Sequence, residues 1–220
     1  MEAPTFLDFI PLPHYMSFTW LIIIGLIVVS LIVRSSLKIL PGHLQNVFEA
    51  VIEGIYKFFE DILGKDEIAK HFPLIATLSL FILAANLTEL IPYFDPPTGK
   101  LDTTLSMTLI VFVYYQYLGI KRHGFGYIKH FTGPIWWLTP YFMPLEIIGH
   151  FARVLSLSVR LFGNIFGDDL LLAVFFMLFP YIIPIPIMFL VIFSALLQAF
   201  IFALLTALYI ADAVGEPSHE

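Results

Sequence analysis

The sequence of 220 residues contains no cysteine and few charged side chains. The absence of cysteine excludes disulfide bonds, cysteine-ligated zinc and iron–sulfur clusters. Charged residues make up 13% of the chain, whereas a soluble domain carries about 25%. The net charge of −6 argues against nucleic-acid binding. Because 59% of the residues are hydrophobic, so few charges cannot cover a water-soluble surface, and the composition predicts a polytopic membrane protein.

Long apolar runs indicate where the chain crosses the membrane. A membrane-spanning helix needs roughly 20 apolar residues. A proline-rich break at 180–186 separates the last two runs. The run that ends at residue 179 would be about 58 Å long as one helix, which requires strong tilt or a kink. We predict one membrane domain, residues 1–220, with spans at 16–33, 72–93 and 105–120, an interfacial helix at 41–64, and a tilted hairpin formed by 139–179 and 187–212.

The basic residues predict the orientation of these spans. Arg34 and Lys38 follow the first run, and Lys121 and Arg122 follow the third. Loops rich in lysine and arginine stay in the cytoplasm, so we expect the N-terminus outside and the C-terminus in the cytoplasm. Glu2 stands where a signal peptide would carry basic residues, so we expect the first span to be a retained membrane helix.

The segment 41–64 combines an apolar helical face with an acidic one. Interfacial helices that bind lipid usually carry lysine and arginine on the polar face. Here the polar face is acidic, so it is either a solvated surface or a docking surface for a protein partner. Its acidic residues are Glu49, Glu53, Glu60 and Asp61.

A polar stripe runs along the predicted helix 139–179. At 3.6 residues per turn, six polar residues share a sector about 80° wide. They are Glu146, His150, Arg153, Arg160, Asn164 and Asp168. Along the helix axis, Glu146 lies about 21 Å from Arg160 on the cytoplasmic side, and Asp169 about 14 Å away on the outer side. Ionisable side chains therefore extend nearly across the membrane, with an arginine between them.

Arg160 interrupts this row chemically. Arginine keeps its proton at physiological pH, so it can hold a carboxylate but cannot relay a proton. A charge at the centre of a bilayer is costly and normally marks function. The pattern predicts two proton pathways, one to each side, kept apart by a fixed positive charge. The alternative is that Arg160 only pairs with an acid inside a helix bundle.

Each neighbouring polar residue also has a structural alternative. His150 is either a packed histidine or a proton carrier, and we expect Arg153 to extend its side chain to the cytoplasmic interface. Asn164 either joins two helices or belongs to the proton pathway. Gln198 either joins two helices or orients the central arginine. Glu89 is either interfacial or part of the outer pathway.

Two motifs resemble signatures of the subunit a family of F-type ATP synthases. They are Arg160-Leu-Phe-Gly-Asn164 and the stretch 197–209, LQAFIFALLTALY. Weaker similarity at 86–92 and 104–107 extends the resemblance over nearly the whole chain. The resemblance implies an all-α polytopic membrane protein with five crossings, one interfacial amphipathic helix and a long tilted C-terminal hairpin.

The same resemblance implies the partners and the setting. The hairpin would face a ring of c subunits, and the chain would also contact the b subunits of a peripheral stalk, other ATP synthase subunits and membrane lipid. It would bind no nucleic acid, cofactor or metal. The location would be a bacterial plasma (inner) membrane. The chain would perform no covalent chemistry and would act as the stator that couples proton flow to rotation of the ring and to ATP synthesis.

The resemblance also assigns roles to residues. Arg160 would pair with each carboxylate of the rotor ring, Glu146 would be the cytoplasmic acid and Asp169 the outer acid. Val191 stands where some relatives carry a histidine or glutamate, so other groups would complete the outer pathway. The candidates for this are Glu89, Asp95 and Asp102. With the polar stripe included, the predicted proton pathway comprises Glu146, His150, Asn164, Asp168, Asp169, Gln198 and Glu89.

Two other classes of protein deserve comparison. A proton-coupled secondary transporter would need related halves with broken helices near the midplane, and this short chain shows no such symmetry. A haem-binding electron-transfer protein would need stacked histidines, but His150 is the only histidine inside a predicted span.

Overall fold

The computed structural model describes residues 14–36, 43–91, 94, 96–124, 139–178 and 184–215. Within these ranges the chain forms six α-helices and two short 3-10 turns. Five of the helices, all but α2, are long and apolar enough to cross a membrane, which confirms the all-α polytopic fold. The helices are α1 (His14–Ser36), α2 (His43–Leu63), α3 (Lys65–Leu87), α4 (Leu101–His123), α5 (Thr139–Leu178) and α6 (Pro184–Val214), and the 3-10 turns are Thr88–Leu90 and Pro97–Gly99.

Side-chain contacts place the helix ends at two sides of the bundle. At one side the start of α3 contacts the end of α4, because Arg122 donates to Glu67 over 3.0 Å. We call this side the basic end, since it also holds Lys65 and Lys121. At the opposite side, the far end, Thr98 donates to the buried Asn86 over 2.7 Å and joins the second 3-10 turn to α3.

Among the described elements, the most extensive helix–helix contact is the one between α3 and α6. Every fourth residue on the contact face of α6 is an alanine, and all four are buried. Small residues at this spacing allow two helix backbones to approach closely. Ser79 of α3 accordingly reaches the backbone carbonyl of Ala199 at 3.5 Å. The alanines are Ala195, Ala199, Ala203 and Ala207.

A single glycine separates α2 from α3. Gly64 has a φ of +81°, a left-handed conformation that glycine adopts without steric cost. Asp66 and Glu67 follow in the first turn of α3, where negative charge stabilises a helix N-terminus. The helix therefore begins at Lys65, before residue 72 where the sequence pattern placed the start of the span, and it includes His71.

Helix α2 buries Phe59 in the core and leaves Glu49, Glu53 and Asp61 exposed. Lys57 donates to Glu53 over 2.8 Å, and this hydrogen bond lowers the pKa of the Glu53 carboxyl. Glu53 is therefore charged at neutral pH. Both interpretations of this face, a solvated surface or a docking surface, remain compatible with its exposure.

Helix α5 is continuous over 40 residues, including Pro144 near its start. At 1.5 Å per residue it is about 60 Å long, roughly twice the apolar thickness of a bilayer. The helix must therefore tilt strongly or extend beyond the apolar layer. Its continuity places Glu146, Arg160 and Asp169 on one rigid element.

Candidate functional site

Arg160 lies in the middle of α5 with an exposed side chain. Its Nη2 donates to Oγ of Ser156, one turn earlier, over 3.4 Å. The neighbouring residues Leu157 and Leu161 are fully buried and turn toward the other helices. The guanidinium group is therefore presented on the outer surface of the bundle, where a charged group of another molecule can reach it.

Gln198 contacts Asn164 in this structure. The amide Nδ2 of Asn164 donates to Oε1 of Gln198 over 2.7 Å and joins α5 to α6. Gln198 is only 1% exposed. Of the two alternatives for Gln198, this structure shows the one that joins two helices: its carbonyl oxygen accepts from an asparagine one turn further along α5 than Arg160. Asn164 and Gln198 thus join α5 to α6, which is the structural role that the sequence analysis gave as one alternative for each of them.

A double-mutant cycle tests this pairing. We expect Asn164→Leu and Gln198→Leu to be non-additive in ATP synthesis by about two- to tenfold, since each change removes the same hydrogen bond. The control cycle combines Gln198→Leu with Ser156→Ala, which removes the partner of Arg160. If Gln198 acted on the arginine directly, the control pair would be the non-additive one.

At the basic end, α5 carries a histidine and a glutamate that face α4. The hydroxyl of Tyr115 lies 3.0 Å from Nδ1 of His150. On the other side of the ring, Nε2 lies 3.7 Å from Oε1 of Glu146. His150 is 7% exposed, and Glu146 is half-buried. The stripe residues Glu146 and His150 are thus in contact, and Tyr115 joins them from a second helix.

Arg153 has a specific partner. Its Nη1 donates to Oδ2 of Asp212 on α6 over 2.9 Å, and its guanidinium carbon lies 5.4 Å from the centre of the Tyr209 ring. The expected extension of Arg153 toward the cytoplasmic interface stays a prediction, and the structure adds a partner for it in Asp212. The sequence did not indicate this pair because Asp212 lies 59 residues away along the chain.

At the far end, three acidic side chains come together. Asp168 lies close enough to Ser194 of α6 for their side chains to interact. A Cβ atom at Gly99 would lie 3.9 Å from Oδ2 of Asp169, so this carboxylate contacts the second 3-10 turn. Both aspartates lie close enough to Glu89 to repel it electrostatically. We call Glu89, Asp168 and Asp169 the far-end acidic cluster.

Glu89 is the buried member of the far-end acidic cluster, and α6 contributes one polar side chain. The two carboxylate oxygens of Glu89 are buried and have no hydrogen-bond partner among the described residues. Val191 of α6 is buried and supplies no polar group. Ser194, one turn later on the same helix, supplies a hydroxyl group. Of the other outer candidates, Asp102 is exposed at the start of α4, and Asp95 lies outside the described residues.

The structure adds a buried histidine that the predicted spans had excluded. His71 of α3 is 3% exposed, and its Nδ1 lies 2.9 Å from the hydroxyl of Tyr114. The claim that His150 is the only histidine within a span is therefore wrong. In the sequence each of the two histidines follows a glutamate by four residues. This shared spacing is the feature from which His71 could have been singled out. Because the two histidines bind separate tyrosines, they do not form a stacked haem-binding pair.

This arrangement suits proton transfer better than metal binding. Among the described residues no group of three or more histidine, aspartate and glutamate side chains is placed to hold a metal ion. Carboxylates and a histidine can take up and release protons, whereas the guanidinium between them keeps its proton. These features define a class: a polytopic membrane protein with an exposed arginine on a helix that carries ionisable groups toward both ends.

Comparison with known proteins identifies the family. Residues 15–211 match the ATP synthase A chain family. The chain is 50% identical over 197 residues to the ATP synthase subunit a of Oleidesulfovibrio alaskensis, covering 90% of this chain and 84% of that relative. It is 48% identical over 200 residues to the ATP synthase subunit a of Geobacter sulfurreducens, covering 91% and 87%. The corresponding protein of Syntrophobacter fumaroxidans is 48% identical over 214 residues, covering 97% and 89%.

The chain therefore belongs to the ATP synthase A chain family. It is a multi-pass, proton-translocating membrane subunit without catalytic activity of its own. This identification confirms the family resemblance seen at Arg160–Asn164 and at 197–209.

Proposed function

We propose that the chain is the stator subunit of an F-type ATP synthase and provides two offset proton half-channels separated by Arg160. The observation that carries the proposal is the exposed arginine in the middle of α5, with Glu146 toward one end of the same helix and the far-end acidic cluster toward the other. The partners would be a ring of c subunits, the b subunits of a peripheral stalk and other ATP synthase subunits.

The outer half-channel would use the far-end acidic cluster. A proton would reach Asp169, next to Gly99, and would be shared with Glu89 and Asp168. Glu89 lies within electrostatic range of both aspartates, and like charges near one another disfavour the charged form. The cluster would thus take up a proton and pass it on to a rotor carboxylate.

The inner half-channel would use Glu146 and His150 at the basic end. After nearly a full turn of the ring, a loaded rotor carboxylate would release its proton along these residues to the cytoplasm. The driving force is about 2.3 kcal/mol per charge for each 100 mV of membrane potential, plus any pH difference. Arg160 would hold the unloaded carboxylate in its ionised form between the two half-channels.

The proposed location is the bacterial plasma membrane, with the N-terminus outside and the C-terminus in the cytoplasm. The basic end supports this orientation, because it collects Arg34, Lys65, Lys121 and Arg122, and positively charged loops remain cytoplasmic. Asn164 and Gln198 would support the pathway by fixing α5 against α6 beside Arg160.

Substitution of one acid at each end tests the two half-channels. We expect Asp169→Asn and Glu146→Gln each to slow driven proton uptake by reconstituted enzyme about tenfold or more, since each removes a proton-transfer group. Neither should make the membrane leaky, because the arginine barrier stays in place. Asp168→Asn should have a smaller effect, since its side chain projects from α5 at a different angle from that of Asp169.

The control is Asp66→Asn, which makes the same charge change at an exposed site outside the proposed pathway. Its proton uptake should stay normal. Normal uptake in both Asp169→Asn and Glu146→Gln would contradict the two half-channels.

A further inference from the structure

Two similar groups of side chains lie on either side of α4 near the basic end. In each group a buried histidine has Nδ1 next to a tyrosine of α4 and Nε2 facing a glutamate four residues earlier on its own helix. The first group is Glu67, His71 and Tyr114, with distances of 3.2 and 2.9 Å. The second group is Glu146, His150 and Tyr115, with distances of 3.7 and 3.0 Å.

The chemistry of a neutral histidine determines the proton positions in such a group. One ring nitrogen carries a proton and donates, while the other can only accept. An ionised carboxylate accepts hydrogen bonds only, so it favours a proton on the nitrogen that faces it, through a hydrogen bond over 3.2 Å at Glu67 and through electrostatic attraction over 3.7 Å at Glu146. The nitrogen that faces the tyrosine is then the acceptor, and the tyrosine hydroxyl donates to it.

We propose that Tyr115 is a positioning residue for the inner half-channel: its hydroxyl donates to Nδ1 of His150 and so keeps the Nε2 proton of that ring directed at the carboxylate of Glu146. This inference rests on the proposed function, because it gives the proton of His150 a place in the exit pathway. Without the tyrosine hydroxyl the ring can carry its proton on Nδ1, and an Nε2 lone pair then faces the carboxylate oxygens.

The first group differs in the partners of its glutamate. Lys70 donates to Oε1 of Glu67 over 3.1 Å, and Arg122 donates to the same oxygen over 3.0 Å. Two cations therefore hold this carboxylate in its ionised form, and the group acts as a structural link between α3 and α4. Tyr114 is thus a matched control for Tyr115: the same residue type, one position earlier, bound to a histidine outside the proposed pathway.

The charged and titratable groups around His150 come from three helices. Glu146 and Arg153 lie on α5 itself, and Tyr115 approaches from α4. Tyr209 of α6 is next to Tyr115, with ring centres 5.9 Å apart, and Asp212 of α6 holds Arg153. Replacing Tyr115 with phenylalanine removes one oxygen and leaves every charge in place, so a change in function reports on the hydrogen bond.

The proton position on His150 can be measured directly. Nitrogen-15 NMR of histidine-labelled ATP synthase in lipid distinguishes the two neutral tautomers, and His150→Gln identifies the signal among the seven histidines of this chain. We expect His150 to carry its proton on Nε2 in the parent enzyme and to lose this preference in Tyr115→Phe. Tyr114→Phe should leave the His150 signal unchanged. A His150 proton on Nδ1 in the parent enzyme would overturn the proposal.

Proton flux provides the functional measurement. In vesicles stripped of the soluble sector, we expect Tyr115→Phe to slow passive proton flux about two- to tenfold, the effect of one hydrogen bond. The midpoint of its dependence on the pH at the basic-end side should shift by about 0.5 unit or more. Tyr114→Phe should change neither quantity. The amount of assembled enzyme is compared among the variants, because a merely structural defect would reduce assembly without shifting the midpoint.

The outcomes separate this inference from the function on which it rests. A changed tautomer with parental flux and midpoint in Tyr115→Phe would show that the tautomer has no role in proton release and would overturn the proposal. Normal flux in Glu146→Gln would instead contradict the inner half-channel, and the NMR measurement would still decide whether Tyr115 positions His150.

Discussion

Arg160→Ala is expected to abolish ATP synthesis and to make the membrane passively leaky to protons. Without the guanidinium, an ionised rotor carboxylate has no partner in the membrane, where an isolated charge costs about 2.5–3.5 kcal/mol, so synthesis should fall about 100-fold or more. Such a carboxylate would stay protonated between the half-channels. It would pass protons from one side to the other without a full turn of the ring.

The measurement combines ATP synthesis with passive proton flux in vesicles stripped of the soluble sector. The control is Arg153→Ala, which removes an arginine two turns away on the same helix that is bound to Asp212. This variant should not leak. Robust ATP synthesis by Arg160→Ala would refute the assignment of the arginine as the separator.

The periodicity of the sequence predicted the main features of α5. Placing residues at 3.6 per turn brought Glu146, His150 and Arg160 into one sector of a single helix. The continuous helix keeps their order along its axis, but His150 is buried against α4 and Arg160 is exposed. Such a prediction succeeds because it depends only on the local geometry of one element. The five apolar runs could also be recognised as membrane spans from the sequence, because a bilayer imposes a minimum length on every crossing.

The partners on other helices could not be predicted in the same way. Asp212 for Arg153, Ser194 for Asp168 and the asparagine for Gln198 depend on how α5 and α6 rotate against each other. That rotation follows from the packing of the whole bundle. A polar side chain in a membrane must find some partner, but its spacing along one helix does not show which neighbour supplies it.

The boundary of α3 illustrates a different limit. An apolar-run criterion placed the start of this span at Phe72, because Lys65, Asp66, Glu67 and Lys70 interrupt the hydrophobicity. In the folded chain Lys70 and Arg122 both bind Glu67, and His71 is buried beside them. Charged residues that neutralise one another at a helix terminus can thus belong to a membrane helix, although each of them lowers the mean hydropathy of that helix.

The second large effect is expected for Arg160→Lys, which keeps a basic residue and should still fail to restore ATP synthesis. Lysine is a compact point charge and loses its proton readily in a desolvated site, whereas arginine stays charged. Lysine also lacks the planar fork that holds a carboxylate through two parallel hydrogen bonds. In this structure the guanidinium additionally reaches Ser156 over 3.4 Å, a contact that uses one of its several donors and leaves the others for the rotor.

We therefore expect Arg160→Lys to synthesise ATP at less than about a tenth of the parental rate, since the loss of charge-assisted bidentate contacts is worth about 1.5–3 kcal/mol. Its passive proton leak should lie between those of the parent enzyme and Arg160→Ala, because the lysine carries its charge for only part of the time. Lys57→Arg, the reverse exchange at an exposed site on α2, should leave both quantities unchanged. Synthesis near the parental rate in Arg160→Lys would show that any cation at this position suffices, and that neither the geometry nor the permanence of the guanidinium charge separates the two half-channels.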